Sequence, residues 1–209
     1  MAAWTRGALA LALVGVVVGL PVGFYRYAYT RSKRLRDVTP GRVYRSGQMT
    51  ADGFADAVER FHIRTVLNLQ DEFPDPDVHE HCFGSDTIKE RELCAKLGVR
   101  YVWLPPDLIP RKLVPRQRPR AIDRFLALMD DPDSYPVLIH CKAGLHRTGV
   151  MVAVYRMEYE GWSPRRALQE LRDNGFGEWD SGAANDYISQ YVLTYRRGLR
   201  PHERAALDR

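Results

Sequence analysis

Residues 136–150 read P-V-L-I-H-C-K-A-G-L-H-R-T-G-V. Val137, Leu138 and Ile139 follow a turn-rich D-D-P-D-S-Y-P segment, and a short apolar run so bounded predicts a buried strand. From Thr148 the residues Val150, Met151, Val152, Ala153 and Val154 predict a helix. Between them lies a loop with Cys141 at one end and Arg147 at the other, Gly144 inside it and Gly149 closing it. A loop that runs into a helix N-terminus aims backbone N–H groups at one point and adds the positive end of the helix dipole, which suits a phosphate or sulfate. Gly144 lets the backbone turn inward without a Cβ clash. Arg147 can grip two oxygens of one anion with its planar fork. The same nest and cation favour the thiolate form of Cys141, and the thiolate is the nucleophile. A thiolate beneath a cradled phosphate is arranged for in-line attack on phosphorus. Thr148 can stabilise that thiolate when it leaves, and His140 orients the loop by hydrogen bonds. The competing reading is a buried cysteine beside an unrelated arginine, but a structural cysteine needs no cationic nest.

H-C-K-A-G-L-H-R-T-G resembles the signature loop of the cysteine-dependent protein tyrosine phosphatases, closest in style to the small dual-specificity and atypical members. The resemblance covers roughly Val38 to Tyr195. It implies a catalytic set of Cys141, Arg147 and Thr148, with substrate phosphate held by Lys142, Ala143, Gly144, Leu145, His146 and Arg147 and with His140 in support. It also implies a general acid on a loop upstream of the cysteine. Asp107, in P-P-D-L-I-P, lies about there, and a carboxylic acid over the site can protonate a leaving oxygen. Asp71, Glu72 and Asp75 are the rivals for that role. With Arg147 and backbone donors supplying the positive charge, neither metal nor other cofactor is expected.

The chain has 209 residues and a formal net charge of +5, the size of one domain plus an extension. The basic balance points to acidic partners such as phosphates or an anionic membrane face, and no nucleic-acid partner is expected. Three cysteines argue against a disulfide framework, and a thiolate nucleophile needs a reducing compartment. Cys82 and Cys94 read as packing residues, the alternative being a resolving thiol that traps oxidised Cys141.

Ala8 to Tyr25 carries no charge and is long enough for a spanning helix. Tyr25, Tyr27 and Tyr29 fit an interfacial aromatic belt. Only Arg6 precedes the run, whereas Arg26, Arg31, Lys33, Arg34 and Arg36 follow it, which predicts that what comes after lies in the cytoplasm. A cleaved signal peptide and a peripheral or buried helix are the alternatives. The expected organisation is an anchor over 1–30, a basic linker over 31–40, a phosphatase domain over 41–198 and a fraying tail over 199–209.

Within the domain, V-Y-R-S-G-Q reads as a short strand at Val43–Tyr44 and a turn at Ser46-Gly47; Arg45 is expected to pair with a core-edge carboxylate in a structural role, the alternative being that it faces the site. A helix is expected over about 51–60, a strand over 63–69, and a loop over 70–85. That loop contains D-P-D-V-H-E-H-C, in which Asp77, His79, His81 and Cys82 could pass for metal ligands; their spacing fits no standard zinc pattern, and a structural or substrate-edge loop is expected. Asp86 or Thr87 is expected to cap a helix to about Leu97, with Thr87 and Glu90 spaced as a capping box and Gly98 ending it. Val99 to Leu104 reads as a strand. The basic run Arg111, Lys112, Arg116, Arg118, Arg120 reads as a solvated face or as a substrate or membrane contact. Further helices are expected around Ala121–Met129, Pro164–Arg172 and Ala183–Arg196; Asn185 and Gln190 are taken as structural.

Strands alternating with helices predict an α/β fold with a central, largely parallel sheet flanked by helices, the site lying at the carboxyl end of a strand. Three function classes fit the loop: a phosphatase, a catalytically silent phospho-binding membrane domain, and a rhodanese-like sulfur transferase. The four retained residues Cys141, Arg147, Thr148 and Asp107 favour the first. Phosphorylated proteins are the expected substrate, and phosphoinositides or inositol phosphates the alternative, since Lys142, His146 and the basic run suit a highly charged one.

Overall fold

Alternating short apolar runs build the strands β1 (Arg36–Thr39), β2 (Val43–Gly47), β3 (Thr65–Asn68), β4 (Asp77–His79), β5 (Thr87–Lys89), β6 (Arg100–Trp103) and β7 (Val137–Cys141). They belong to a computed structural model that describes residues 2–105, 118–176, 188 and 191–199. The main sheet has the order β1-β2-β7-β3-β6. β2, β7, β3 and β6 run parallel, and β1 joins the edge antiparallel to β2. β4 and β5 form a separate antiparallel hairpin.

The helices of the domain are α3 (Ala51–Phe61), α4 (Glu90–Lys96), α5 (Arg120–Asp130), α6 (His146–Tyr159) and α7 (Pro164–Asp173). Side chains alternate across a strand, so each central strand feeds two cores. Val43, Leu67, Val137, Ile139 and Cys141 face one layer, where Phe125, Leu126, Val152 and Leu168 of α5, α6 and α7 cover them. Tyr44, Val66 and Leu138 face the other, under Phe54, Ala57, Leu93 and Cys94 of α3 and α4. Each fully buried side chain of this kind contributes about 1.5–3 kcal/mol against exposure. β7 is therefore gripped on both faces and both edges, and its carboxyl end, Cys141, is held with it.

The N-terminal segment is one continuous helical rod: α1 (Ala2–Val14), a π-helical turn (Gly15–Gly19), α2 (Leu20–Arg26) and a second π-helical turn (Tyr27–Arg31). Trp4–Arg31 is long and apolar enough to cross a membrane, and its most apolar stretch has a mean hydropathy of 2.3 with none of it buried against the domain. The end of the rod does touch the domain. A Cβ on Gly53 would stand 1.8 Å from the Arg31 carbonyl oxygen, so only glycine lets α3 approach so closely. Arg31 pairs with Asp52 at 3.2 Å and also with Asp56.

Several local expectations are corrected. Ser46 and Gly47 are not a turn but the end of β2, registered against His140 and Cys141. The 31–40 stretch, expected as a linker, contains β1 and is bonded into the sheet. The 70–85 stretch, expected as a loop, contains β4. Thr87 caps no helix, because it lies in β5; α4 starts at Glu90 after Lys89, without a side-chain cap. The helix after the signature loop begins at His146, so Arg147 belongs to its first turn. Ser163 does cap α7, its hydroxyl accepting from the Arg166 N–H, with Pro164 at the first helical position.

Candidate active site

Four residues, 142–145, join β7 to α6 and bend back over the cysteine. Gly144 has φ 74°, and its N–H donates to Cys141 Sγ at 3.2 Å. A Cβ there would lie 2.5 Å from Gly47 N and 2.6 Å from Ser46 O, so the loop can lie on β2 only because this residue is glycine. The loop's carbonyls are tied on the outer side. Gln48 N–H donates to Lys142 O at 3.3 Å, Arg34 NH1 to Ala143 O at 3.0 Å, and Arg45 NH2 to Gly144 O at 2.9 Å. Arg45 is buried, and burial pushes its guanidinium down to about 10 against the pull of Glu170. Its structural role is thus to brace the loop.

α6 then starts beneath the loop, the Leu145 carbonyl accepting from the Gly149 N–H at 2.8 Å. Thr148 is fully buried, and its hydroxyl has no hydrogen-bond partner among the described residues. The His146 ring meets Phe176 edge-on, and desolvation followed by the Arg147 charge keeps it below the ordinary histidine range. Lys142 is exposed at the rim.

His140 and Glu90 make the deepest polar contact. His140 Nε2 lies 2.7 Å from Glu90 Oε1, both side chains are 0% exposed, and Phe54 packs edge-on against the imidazole. A buried polar side chain is costly without a partner, so each residue fixes the other. The sequence reading took Glu90 for part of a capping box and missed it. The available signal was its position: Glu90, Leu93 and Cys94 fall at i, i+3 and i+4 on the buried face of α4.

Arg147 meets two acids from the strand-following loop. Its NH1 and NH2 donate to Glu72 Oε2 and Oε1, both at 3.0 Å, and NH1 lies 2.9 Å from Asp71 Oδ1. The guanidinium holds the Glu72 carboxyl down at about 2, and the same bond raises Arg147. Glu72 in this arrangement is therefore ionised at neutral pH and has no proton to give. Asp75 Oδ1 accepts from the Arg91 N–H at 2.8 Å. Asp107 lies outside the described residues, as do Arg111, Lys112, Arg116, Asn185 and Gln190. Arg118 turns inward rather than to solvent, 2.9 Å from Asp123 Oδ1 and over the Tyr195 ring.

Among the described residues, no group of three or more His, Cys, Asp or Glu side chains is placed to hold a metal ion. All three cysteines are free thiols. Burial pushes the Cys94 thiol up to about 12, which argues against a resolving role for it.

A family model described as "Tyrosine phosphatase family" matches residues 31–195. The dual specificity protein phosphatase TpbA of Pseudomonas aeruginosa is 49% identical over 45 residues, which is 22% of this chain and only 21% of that relative. Inositol diphosphatase DSP3 of Arabidopsis thaliana is 28% identical over 157 residues, 75% of this chain and 70% of that one. Among solved structures, P. aeruginosa TpbA superposes with TM-score 0.56 at 25% identity, covering 81% of this chain and 89% of that one. The core catalytic domain of the PP-IP phosphatase SIW14 from S. cerevisiae shares the fold, with TM-score 0.58 at 20% identity, covering 83% and 91%. With sheet, signature loop and flanking helices all inside the matched stretch, the chain belongs to the tyrosine phosphatase family.

Proposed function

We propose that the protein hydrolyses phosphate monoesters through a cysteinyl-phosphate intermediate. The observation that carries this is the Gly144 N–H donating to Cys141 Sγ in a loop that delivers Arg147 to the first turn of α6. Substrate phosphate sits over the sulfur, its oxygens held by loop N–H groups and Arg147. The thiolate attacks phosphorus; the P–S bond forms as the P–O bond to the leaving group breaks. The departing oxygen takes a proton from Asp107. Water then attacks phosphorus, Asp107 takes its proton, the P–S bond breaks and inorganic phosphate leaves. Thr148 donates to the sulfur as it regains its charge. Glu72 and Asp71 hold Arg147 while the site is empty. Part-exposed pairs of this kind are worth about 0.2–1 kcal/mol, so a dianion gripped by Arg147 and the nest together can displace them. The His140–Glu90 pair sets the base of the loop. Neither metal nor cofactor has a part in these steps.

Phosphorylated tyrosine, serine and threonine residues of proteins are the first substrate reading, supported by the dual-specificity relative. Inositol phosphates or phosphoinositides are the second, supported by the plant relative and by Lys142 at the rim of the loop. The exposed apolar rod acts as a single-pass anchor, with the domain on the cytoplasmic side where its basic flank remains. The full-length chain should then fractionate with membranes, its domain protected from protease added outside intact cells. A soluble product trimmed near Tyr29 would show a signal peptide instead.

Cys141→Ser should lose turnover on the order of 10⁴-fold or more, as removal of a nucleophile does, while still binding phosphate or vanadate through the nest and Arg147. A silent binding domain is the correct reading if wild type and Cys141→Ser both bind and neither turns over.

The general acid is tested by a leaving-group series. Asp107→Asn should lose on the order of 10²–10⁴-fold with an alkyl or inositol leaving group, the usual worth of acid catalysis. The loss should shrink toward a nitrophenolate, which departs with little help. If Asp107→Asn matches wild type throughout and Asp71→Asn, Glu72→Gln or Asp75→Asn shows the graded loss, the acid lies on the 70–85 stretch.

A further inference from the structure

A cleft of about 500 Å³ opens beside the signature loop, with Lys142 on one side of it. One of its walls, Tyr29, Thr30 and Lys33, comes from the end of the apolar rod and the chain directly after it. That wall is fastened to the site. The Lys33 carbonyl accepts from the Gly47 N–H at 2.7 Å, and the Thr30 carbonyl from the Thr50 N–H at 3.2 Å. Gly47 is the strand residue registered opposite Cys141. The Lys33 stem fills the space that a side chain on Gly47 would need, since a Cβ there would fall 2.8 Å from Lys33 Cδ. The stem is thus clamped along the loop, and Lys33 lines the same cleft as Lys142.

Neither Lys33 nor Lys142 has a carboxylate partner among the described residues. The acids of the cleft are on the hairpin side and are engaged there. Lys89 Nζ lies 2.9 Å from Asp77 Oδ2, and Asp75 accepts from the Arg91 N–H. Desolvation, with help from Arg34 and Lys142, holds the Lys33 ammonium below the ordinary lysine range. An anion bound beside it relieves that cost.

We infer that Lys33 and Lys142 form a second anion subsite next to the phosphate nest, and that it selects substrates carrying a second phosphate close to the one removed. This rests on the phosphatase reading above and adds a specificity residue, Lys33, supplied by the segment that follows the rod. The fitting chemistry is a polyol ring with neighbouring phosphates, either free or as the headgroup of a lipid. A singly phosphorylated peptide has nothing to place beside Lys33. With the rod in a bilayer, Tyr29 and Thr30 bring the cleft to headgroup depth.

The test compares full-length wild type with Lys33→Gln and Lys33→Arg in detergent micelles. The substrates are phenyl phosphate, an inositol bisphosphate with adjacent phosphates, the matching phosphatidylinositol bisphosphate in mixed micelles, and a phosphotyrosine peptide. In Lys33→Gln the ratio of kcat/KM for the bisphosphate to that for phenyl phosphate should fall about tenfold, the scale of one charged hydrogen bond, mainly through KM, and Lys33→Arg should restore most of it. A fall with the soluble bisphosphate or with the lipid supports the subsite and shows which source it takes. An unchanged ratio for both, or an equal loss on the peptide, overturns it. A second arm measures binding of the inositol bisphosphate by calorimetry in the Cys141→Ser background. There Lys33→Gln should weaken binding about tenfold, and unchanged binding overturns the subsite. If wild type turns over none of the substrates, the phosphatase reading fails while this binding arm still decides the subsite.

Discussion

The site depends on one close approach: the backbone of residue 144 lying against the end of β2. No side chain fits between Gly144 and the Ser46–Gly47 peptide. Because the two strands β2 and β7 are parallel and in register, that contact sets the loop at a fixed height above Cys141. The N–H of Gly144 then points at the sulfur, and the chain reaches Arg147 one turn later with the helix dipole already aligned. Removing any carbonyl tie, from Arg34, Gln48 or Arg45, would leave this arrangement to be held by fewer bonds.

Two side-chain pairs, one buried and one partly exposed, flank the nest and do different work. The Glu90–His140 pair is sealed from water and cannot be exchanged, so it acts as a fixed anchor for the strand end. The Arg147 contacts with Glu72 and Asp71 are partly exposed and exchangeable. Such a pair is worth only about 0.2–1 kcal/mol, so it holds the arginine weakly. Arg147 opens α6 at the end of the signature loop, and Lys33 and Lys142 line the cleft beside it.

The strand, loop and helix from Val137 to Tyr159 were legible in the sequence, because they are contiguous and their signals are local. The parallel sheet followed from the alternation of strands and helices. What was not legible was long-range. Glu90 and His140 are fifty residues apart, and Glu72 and Arg147 seventy-five; no local pattern pairs them. Ser46-Gly47 carried a turn signal, yet these residues are small because the signature loop and the Lys33 stem press against them, not because the chain turns. Thr87 looked like a cap, but pairing with His79 in the hairpin outweighed its local preference. The basic stretch before Val43 looked like a free linker, and only the edge of β2 shows why part of it is a strand.

The central claim is that Cys141 carries the phosphoryl group in turnover. Rapid alkaline quench of a single turnover, followed by mass spectrometry of the peptide spanning residue 141, tests it most directly. The account predicts that a phosphate adduct appears on Cys141, rises as the leaving group departs and decays as inorganic phosphate is released. Complete turnover with no adduct on Cys141 at any time point, or an adduct confined to another residue, would contradict it.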